Sequence, residues 1–176
     1  MRTNLSSQIT LNRVSTKYYK PENAVERSVL TRFEKVPTDI YESVDEGVCH
    51  IANEIAGKIQ DRQREGKFFV IGAGTGASLR PLYAELVRKH KDEGLSFRNV
   101  VIFNLYEYYP LAPESAGSSF TQLKDLFVDQ IDIDKQNVFT IDGSIPQEAI
   151  LEYCRLYEQR LQTFGGMDIV LMGIGR

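Results

Sequence analysis

The chain has 176 residues, 42% of them hydrophobic and 26% charged, with a formal net charge of -3. That length fits one domain with a real core, and the mildly acidic balance excludes an overall basic field for nucleic acid or anionic lipid. No apolar run approaches the ~20 residues needed to cross a bilayer, and the opening MRTNLSSQITLNR lacks the apolar stretch of a secretory signal; a cytoplasmic protein is expected.

Residues 1–37 are mixed and polar and read as an arm or extension packed on the domain, with a short helix from Glu22 to Phe33 after Pro21. From Thr38, a candidate cap, the residues Ile40, Val44, Val48, Ile51, Ile55 and Ile59 step by fours and threes, so they share one helical face. Gly66 follows the polar end of that helix. Residues 68–72 then form a short continuous apolar run ending in glycine, as a strand buried on both faces does. Beyond a glycine-rich turn, Leu79, Leu82, Tyr83, Leu86 and Val87 fall at helical spacing, in a helix beginning near Ser78. Residues 99–103 are a second buried strand, Ser118 to Phe127 a helix with Phe120, Leu123 and Phe127 on one side, and 138–141 a short strand. Ser144 and Gln147 resemble a capping box that opens a helix to Thr163, and 167–172 is a last buried strand running into GIGR.

Strands separated by helical crossovers make a parallel, Rossmann-like, doubly wound α/β sheet with helices on both faces. Ligands of such folds bind beyond the carboxyl ends of the strands, where GAGTGAS, NLYEYYPL and GIGR stand. The two cysteines, Cys49 and Cys154, read as small core residues in a reducing compartment, since neither has a CxxC neighbour. His50 and His90 are isolated on helices and read as solvent-facing or packed, which leaves no metal site.

The turn after the first strand invites an anion. Gly72, Gly74 and Gly76 allow a tight bend and close approach, and the following helix points its free N–H groups into the turn. Thr75 and Ser78 add hydroxyls. The same turn also reads as a plain strand-to-helix connection. Gly72, Gly74 and Ala77 satisfy a G-x-G-x-x-A dinucleotide pattern too, but no acid ends the next strand and no P-loop lysine follows.

Two further segments carry a resemblance. VVIFNLYEYYPL resembles the FNxDEY strand end of the glucosamine-6-phosphate deaminase/isomerase family; GAGTGAS is similar to its GxPTGGTP turn, and MDIVLMGIGR to the start of its LGIGxNGHIxFNEP loop. GSSFTQLKDLFVDQIDI is likewise similar to the family stretch around SYxxFMxxxFFDHVDI. The resemblance runs from Thr38 to Arg176 and implies amino-sugar phosphate metabolism: a sugar phosphate as ligand, no metal or organic cofactor, and no nucleic-acid or membrane partner. It implies a phosphate held by Gly74, Thr75, Gly76, Ala77 and Ser78, where Gly74, Ala77 and Ser78 replace the family's proline, glycine and threonine.

In that family an aspartate of DEY moves a proton between C2 and C1 of the opened sugar while ammonia leaves. The position falls on Tyr106, a phenol with a reference pKa of about 10 and a poor base at neutral pH; Glu107 matches the second acid. The candidate catalytic residues are therefore Glu107 and Tyr106, or else Tyr106 and Tyr108 only wall the pocket. The family histidine would follow Arg176, so the chain reads as an N-terminal fragment, residues 38–176 being a partial domain. Its uncovered sheet suggests a homo-oligomer. Three readings stay open: a deaminase, a sugar-phosphate-binding regulator, and a 6-phosphogluconolactonase-type hydrolase, which would want an arginine beside Glu107.

Overall fold

In a computed structural model, which describes residues 23–32 and 38–173, the four apolar runs are strands of a single parallel sheet. The chain divides into two units, Met1–Glu42 and Ser43–Arg176. In the first, α1 (Ala24–Thr31) is capped by Asn23, whose side chain accepts the Glu26 amide at 2.9 Å. It lies inside the expected helix; Glu22, Phe33 and the arm before residue 23 fall outside the described residues.

The second unit runs α2 (Val44–Arg64), β1 (Phe69–Ala73), α3 (Arg80–Glu93), β2 (Val100–Asn104), α4 (Ser119–Leu126), β3 (Val138–Phe139), α5 (Ile150–Thr163) and β4 (Ile169–Leu171). The sheet order is β3-β2-β1-β4, every pair parallel, with Ile71 opposite both Ile102 and Ile169. Each strand crosses back through a helix, as parallel pairing requires.

Alternation along the buried strands sorts the side chains into two layers. Phe69, Ile71, Ala73, Val100 and Ile102 face α2, α3 and α4 and join Ala52, Ile55, Ile59, Leu82, Tyr83, Leu86 and Leu123 in the main core. Full burial of each large aliphatic side chain there contributes about 1.5–3 kcal/mol. Val70, Val101 and Phe103 face the other way, onto Tyr157 and Leu161 of α5 and onto Phe164. Helices therefore cover both faces, unequally: α5 has no fully buried residue. Asp168 ties the start of β4 to β1, donating its amide to the Val70 carbonyl and accepting the Val70 amide on its carboxylate, each at 2.9 Å. The same carboxylate pairs with Arg62 of α2.

Several expectations shift. The helix expected from Thr38 begins at Val44, because Ser43 supplies the cap (its hydroxyl accepts the Glu46 amide at 3.1 Å) and Asp45 and Glu46 suit the positive first turn. Of the expected face, Ile40, Val44 and Ile51 are 59%, 68% and 39% exposed, and the buried residues of α2 are Gly47, Ala52, Ile55 and Ile59. The strand expected over 138–141 stops at Phe139, since the Thr140 carbonyl and the Asp142 amide turn to the Tyr153 hydroxyl, at 3.1 and 2.8 Å. The strand expected over 167–172 pairs only at Ile169–Leu171. Ser144 caps no helix: its amide and hydroxyl donate to Asp142, and Pro146 disfavours helical backbone before it, so a 3-10 turn at Gln147–Ala149 precedes α5. Both cysteines are exposed rather than in the core, standing off the packed stripes of α2 and α5. His50 is exposed and His90, half-buried, donates from Nδ1 to the Leu95 carbonyl at 2.7 Å. The final residues of GIGR, 174–176, lie outside the described residues.

Candidate functional site

The carboxyl ends of β1, β2 and β4 meet at one edge of the sheet, so the turn after β1 and the loop after β2 lie side by side. Register alone brings them together: Ala73 pairs with Asn104 and with Leu171.

The turn after β1 is held from beneath. Tyr83, buried in α3, donates its hydroxyl to the Gly74 carbonyl at 2.6 Å, and burial pushes that phenol's pKa upward. The Gly74 amide donates to the Leu171 carbonyl at 3.0 Å. Gly76 then takes a φ of 146°, a backbone region that side-chain-bearing residues rarely adopt. The chain enters α3 at Arg80, two residues later than Ser78, with Pro81 in its first turn and no side-chain cap. The amides of Gly76, Ala77 and Ser78 find no acceptor among the described residues, whereas Leu79 donates back to the Gly76 carbonyl at 3.2 Å. Three consecutive donors thus stand at the positive end of a 14-residue helix, where a negative charge is stabilised.

The loop after β2 is built differently. Asn104, buried at the strand end, donates its amide group to the Tyr106 carbonyl at 3.0 Å and so fixes the Tyr106 backbone; its own Oδ1 has no partner among the described residues. The Tyr106 side chain lies over the first turn. Its hydroxyl accepts the Thr75 amide at 2.9 Å, donates to the Thr75 carbonyl, and sits 2.9 Å from the Thr75 hydroxyl. The ring edge is so near that a Cβ on Gly74 would stand 3.4 Å from Tyr106 Cε1.

Glu107 points the opposite way, as adjacent extended residues do. Its carboxylate accepts four hydrogen bonds: from the Ser118 hydroxyl at 2.6 Å and from the amides of Ser119, Phe120 and Tyr108 at 2.8, 3.1 and 2.9 Å. Two of those amides open α4, so Glu107 closes the helix N-terminus from 11 residues upstream in concert with the Ser118 cap. Partial burial pushes the Glu107 pKa up, but the Ser118 hydroxyl and the three amides outweigh it and hold the group below the ordinary glutamate range. A carboxylate so satisfied is a weak base with no lone pair directed at a substrate. Tyr108 and Tyr109 are exposed, and the loop continues through a cis Tyr109–Pro110 peptide to Leu111, where Gly143 packs against it: a Cβ there would fall 2.3 Å from the Tyr108 carbonyl oxygen.

The five residues expected to hold an anion therefore divide. Gly76, Ala77 and Ser78 present open amides; Gly74 and Thr75 have theirs engaged. The Thr75 hydroxyl is also shared, 2.9 Å from Ser119 Oγ. Sequence reasoning missed Ser118, Ser119 and Tyr83, whose roles depend on contacts across 9–44 residues; only the SS doublet at the start of α4 hinted at a cap. No cluster of three or more histidine, cysteine, aspartate or glutamate side chains suited to a metal ion occurs among the described residues. Likewise, among them no helix is long and apolar enough to cross a membrane.

Comparisons with known proteins agree with this architecture. The family model described as glucosamine-6-phosphate isomerases/6-phosphogluconolactonase matches residues 42–176. A glucosamine-6-phosphate deaminase-like protein of Bacteroides thetaiotaomicron is 61% identical over all 176 residues, which are 26% of its length. The glucosamine-6-phosphate deaminase of Bacillus velezensis is 38% identical over 71% of this chain and 51% of its own. Among solved structures, a monomeric glucosamine-6-phosphate deaminase superposes with a TM-score of 0.70 at 30% identity, over 77% of this chain and 54% of that one. The chain thus spans about a quarter of the first relative and about half of the other two. Match, topology and strand-end motifs coincide, and the chain belongs to the glucosamine-6-phosphate isomerase/6-phosphogluconolactonase family.

Proposed function

We propose that this chain carries the phosphate-holding part of an amino-sugar-phosphate site and binds its ligand without deaminating it. The phosphate takes the amides of Gly76, Ala77 and Ser78 at the N-terminus of α3, with the Ser78 hydroxyl as a further donor. The sugar extends toward Tyr106 and Tyr108, whose faces suit an apolar sugar surface. Family membership supports the ligand class.

The observation that carries the reading is the state of Glu107. Glu107 accepts four hydrogen bonds and caps α4, so using it to move a proton would strip a helix terminus of its anchor. Tyr106 offers no substitute, because its hydroxyl is engaged by Thr75. On this reading the described residues recognise the ligand without supplying a general base, as a sugar-phosphate-binding regulator would.

Calorimetric titration tests this. Glucosamine-6-phosphate should bind saturably, glucosamine should bind far more weakly for lack of the phosphate, and Gly76→Val should abolish the difference. Equal affinity for the two sugars would contradict the reading.

A further inference from the structure

Tyr106 occupies a donor that the turn would otherwise offer. Thr75 is the residue before the three open amides, and its N–H points at the Tyr106 hydroxyl at 2.9 Å instead of at a ligand. The phenol is not held by burial: Tyr106 is 39% exposed, and its backbone is pinned separately, through Asn104 to its carbonyl. Rotation about the side-chain bonds alone would lift the hydroxyl out of the turn without disturbing β2. All three polar contacts of that hydroxyl are to one residue, Thr75, so they break together.

We propose that Tyr106 is a built-in competitor for the anion: its hydroxyl occupies the Thr75 amide in the free protein and leaves when a phosphate oxygen takes that donor. The proposal rests on the anion-binding reading of the turn. Its direction follows from bond strength. A bond from an amide to an ionised oxygen is roughly twice as strong as one to a neutral hydroxyl, and the displaced phenol, already at the surface, is rehydrated at little cost. Binding then widens the cradle from three amides to four and moves an aromatic ring at the mouth of the pocket. The turn thereby reports its own occupancy through Tyr106, which is the event a binding protein needs in order to signal.

The test is titration of the chain with inorganic phosphate, in the wild type and in Tyr106→Phe, following the amide resonances of Thr75, Gly76, Ala77 and Ser78 by heteronuclear NMR. Removing the hydroxyl that competes for the Thr75 amide, and with it the other contacts to Thr75, should tighten phosphate binding in Tyr106→Phe by at least roughly 2- to 10-fold. In the wild type the Thr75 amide should shift together with the other three at one common affinity, a readout that needs no variant to fold. Equal or weaker binding by Tyr106→Phe overturns the competitor while leaving the anion site standing, as does a Thr75 resonance that stays still while its neighbours move. No saturable shift at Gly76, Ala77 or Ser78 in either protein overturns the anion site and the competitor with it.

Discussion

The two turns at the carboxyl edge of the sheet start from equivalent places and reach opposite ends. The turn after β1 leaves the consecutive amides of Gly76, Ala77 and Ser78 open. The loop after β2 brings its first acid, Glu107, against four donors. The first turn leaves three donors without an acceptor among the described residues; the second uses its polar groups to hold α4 and itself in place. The difference teaches that an acid at a strand end can serve the fold: the lone pairs of Glu107 hold a helix.

The largest expected effect breaks the second turn. Glu107→Ala leaves the amides of Ser119, Phe120 and Tyr108 and the Ser118 hydroxyl without their common acceptor. Hydrogen bonds to charged groups are worth about 1.5–3 kcal/mol apiece and do not add fully, so urea denaturation should record a loss of about 3 kcal/mol. Gly143→Ala attacks the same loop from its far side, where the new Cβ would lie 2.3 Å from the Tyr108 oxygen and 2.6 Å from the Leu111 oxygen, both backbone atoms. Overpacking of that kind costs about 2 kcal/mol, and the melting temperature should fall accordingly.

The pH dependence of stability sharpens the contrast. The folded pKa of Glu107 lies below its unfolded value, so its contribution is fully present above about pH 4.3, the ordinary glutamate value, and is lost as pH falls through the folded one. Denaturation measured from pH 7 downward should show this acid loss in the wild type and a shallower one in Glu107→Gln, which no longer titrates there. The smallest effect on folding belongs to the first turn. Gly76→Ala meets nothing within 4 Å but must adopt a φ of 146°, at a cost of about 1 kcal/mol. Its effect should appear in phosphate affinity more than in the denaturation midpoint, the reverse of Glu107→Ala.

Much of this was legible in the sequence because it follows from short-range pattern. Residues 68–72 and 99–103 announce buried strands by apolar runs, and Leu82, Tyr83 and Leu86 give the inner face of α3 by their spacing. Boundaries were less legible where two local signals compete. Thr38 and Ser43 are both plausible caps, and Ser43 prevails with Asp45 and Glu46 in the turn that follows. Burial of the cysteines was misread because residue type does not fix a helical face: Cys154 follows Tyr153, whose hydroxyl turns inward to Thr140. The contacts of the candidate site were the least legible. Strand ends and glycines suggest where to look, but the engagement of Thr75 by Tyr106 spans 31 residues and that of Glu107 by Ser119 spans 12, and such contacts depend on tertiary packing.

The most direct test of the account is ammonia release from glucosamine-6-phosphate, measured beside calorimetric binding on the same preparations of wild type, Glu107→Gln and Tyr106→Asp. The wild type should bind the sugar phosphate and release no ammonia, Glu107→Gln should lose stability and likewise release none, and any turnover should appear only with the carboxylate of Tyr106→Asp. Ammonia release by the wild type that falls by ~10²–10⁴-fold in Glu107→Gln, the loss expected on removing a working general base, would contradict it.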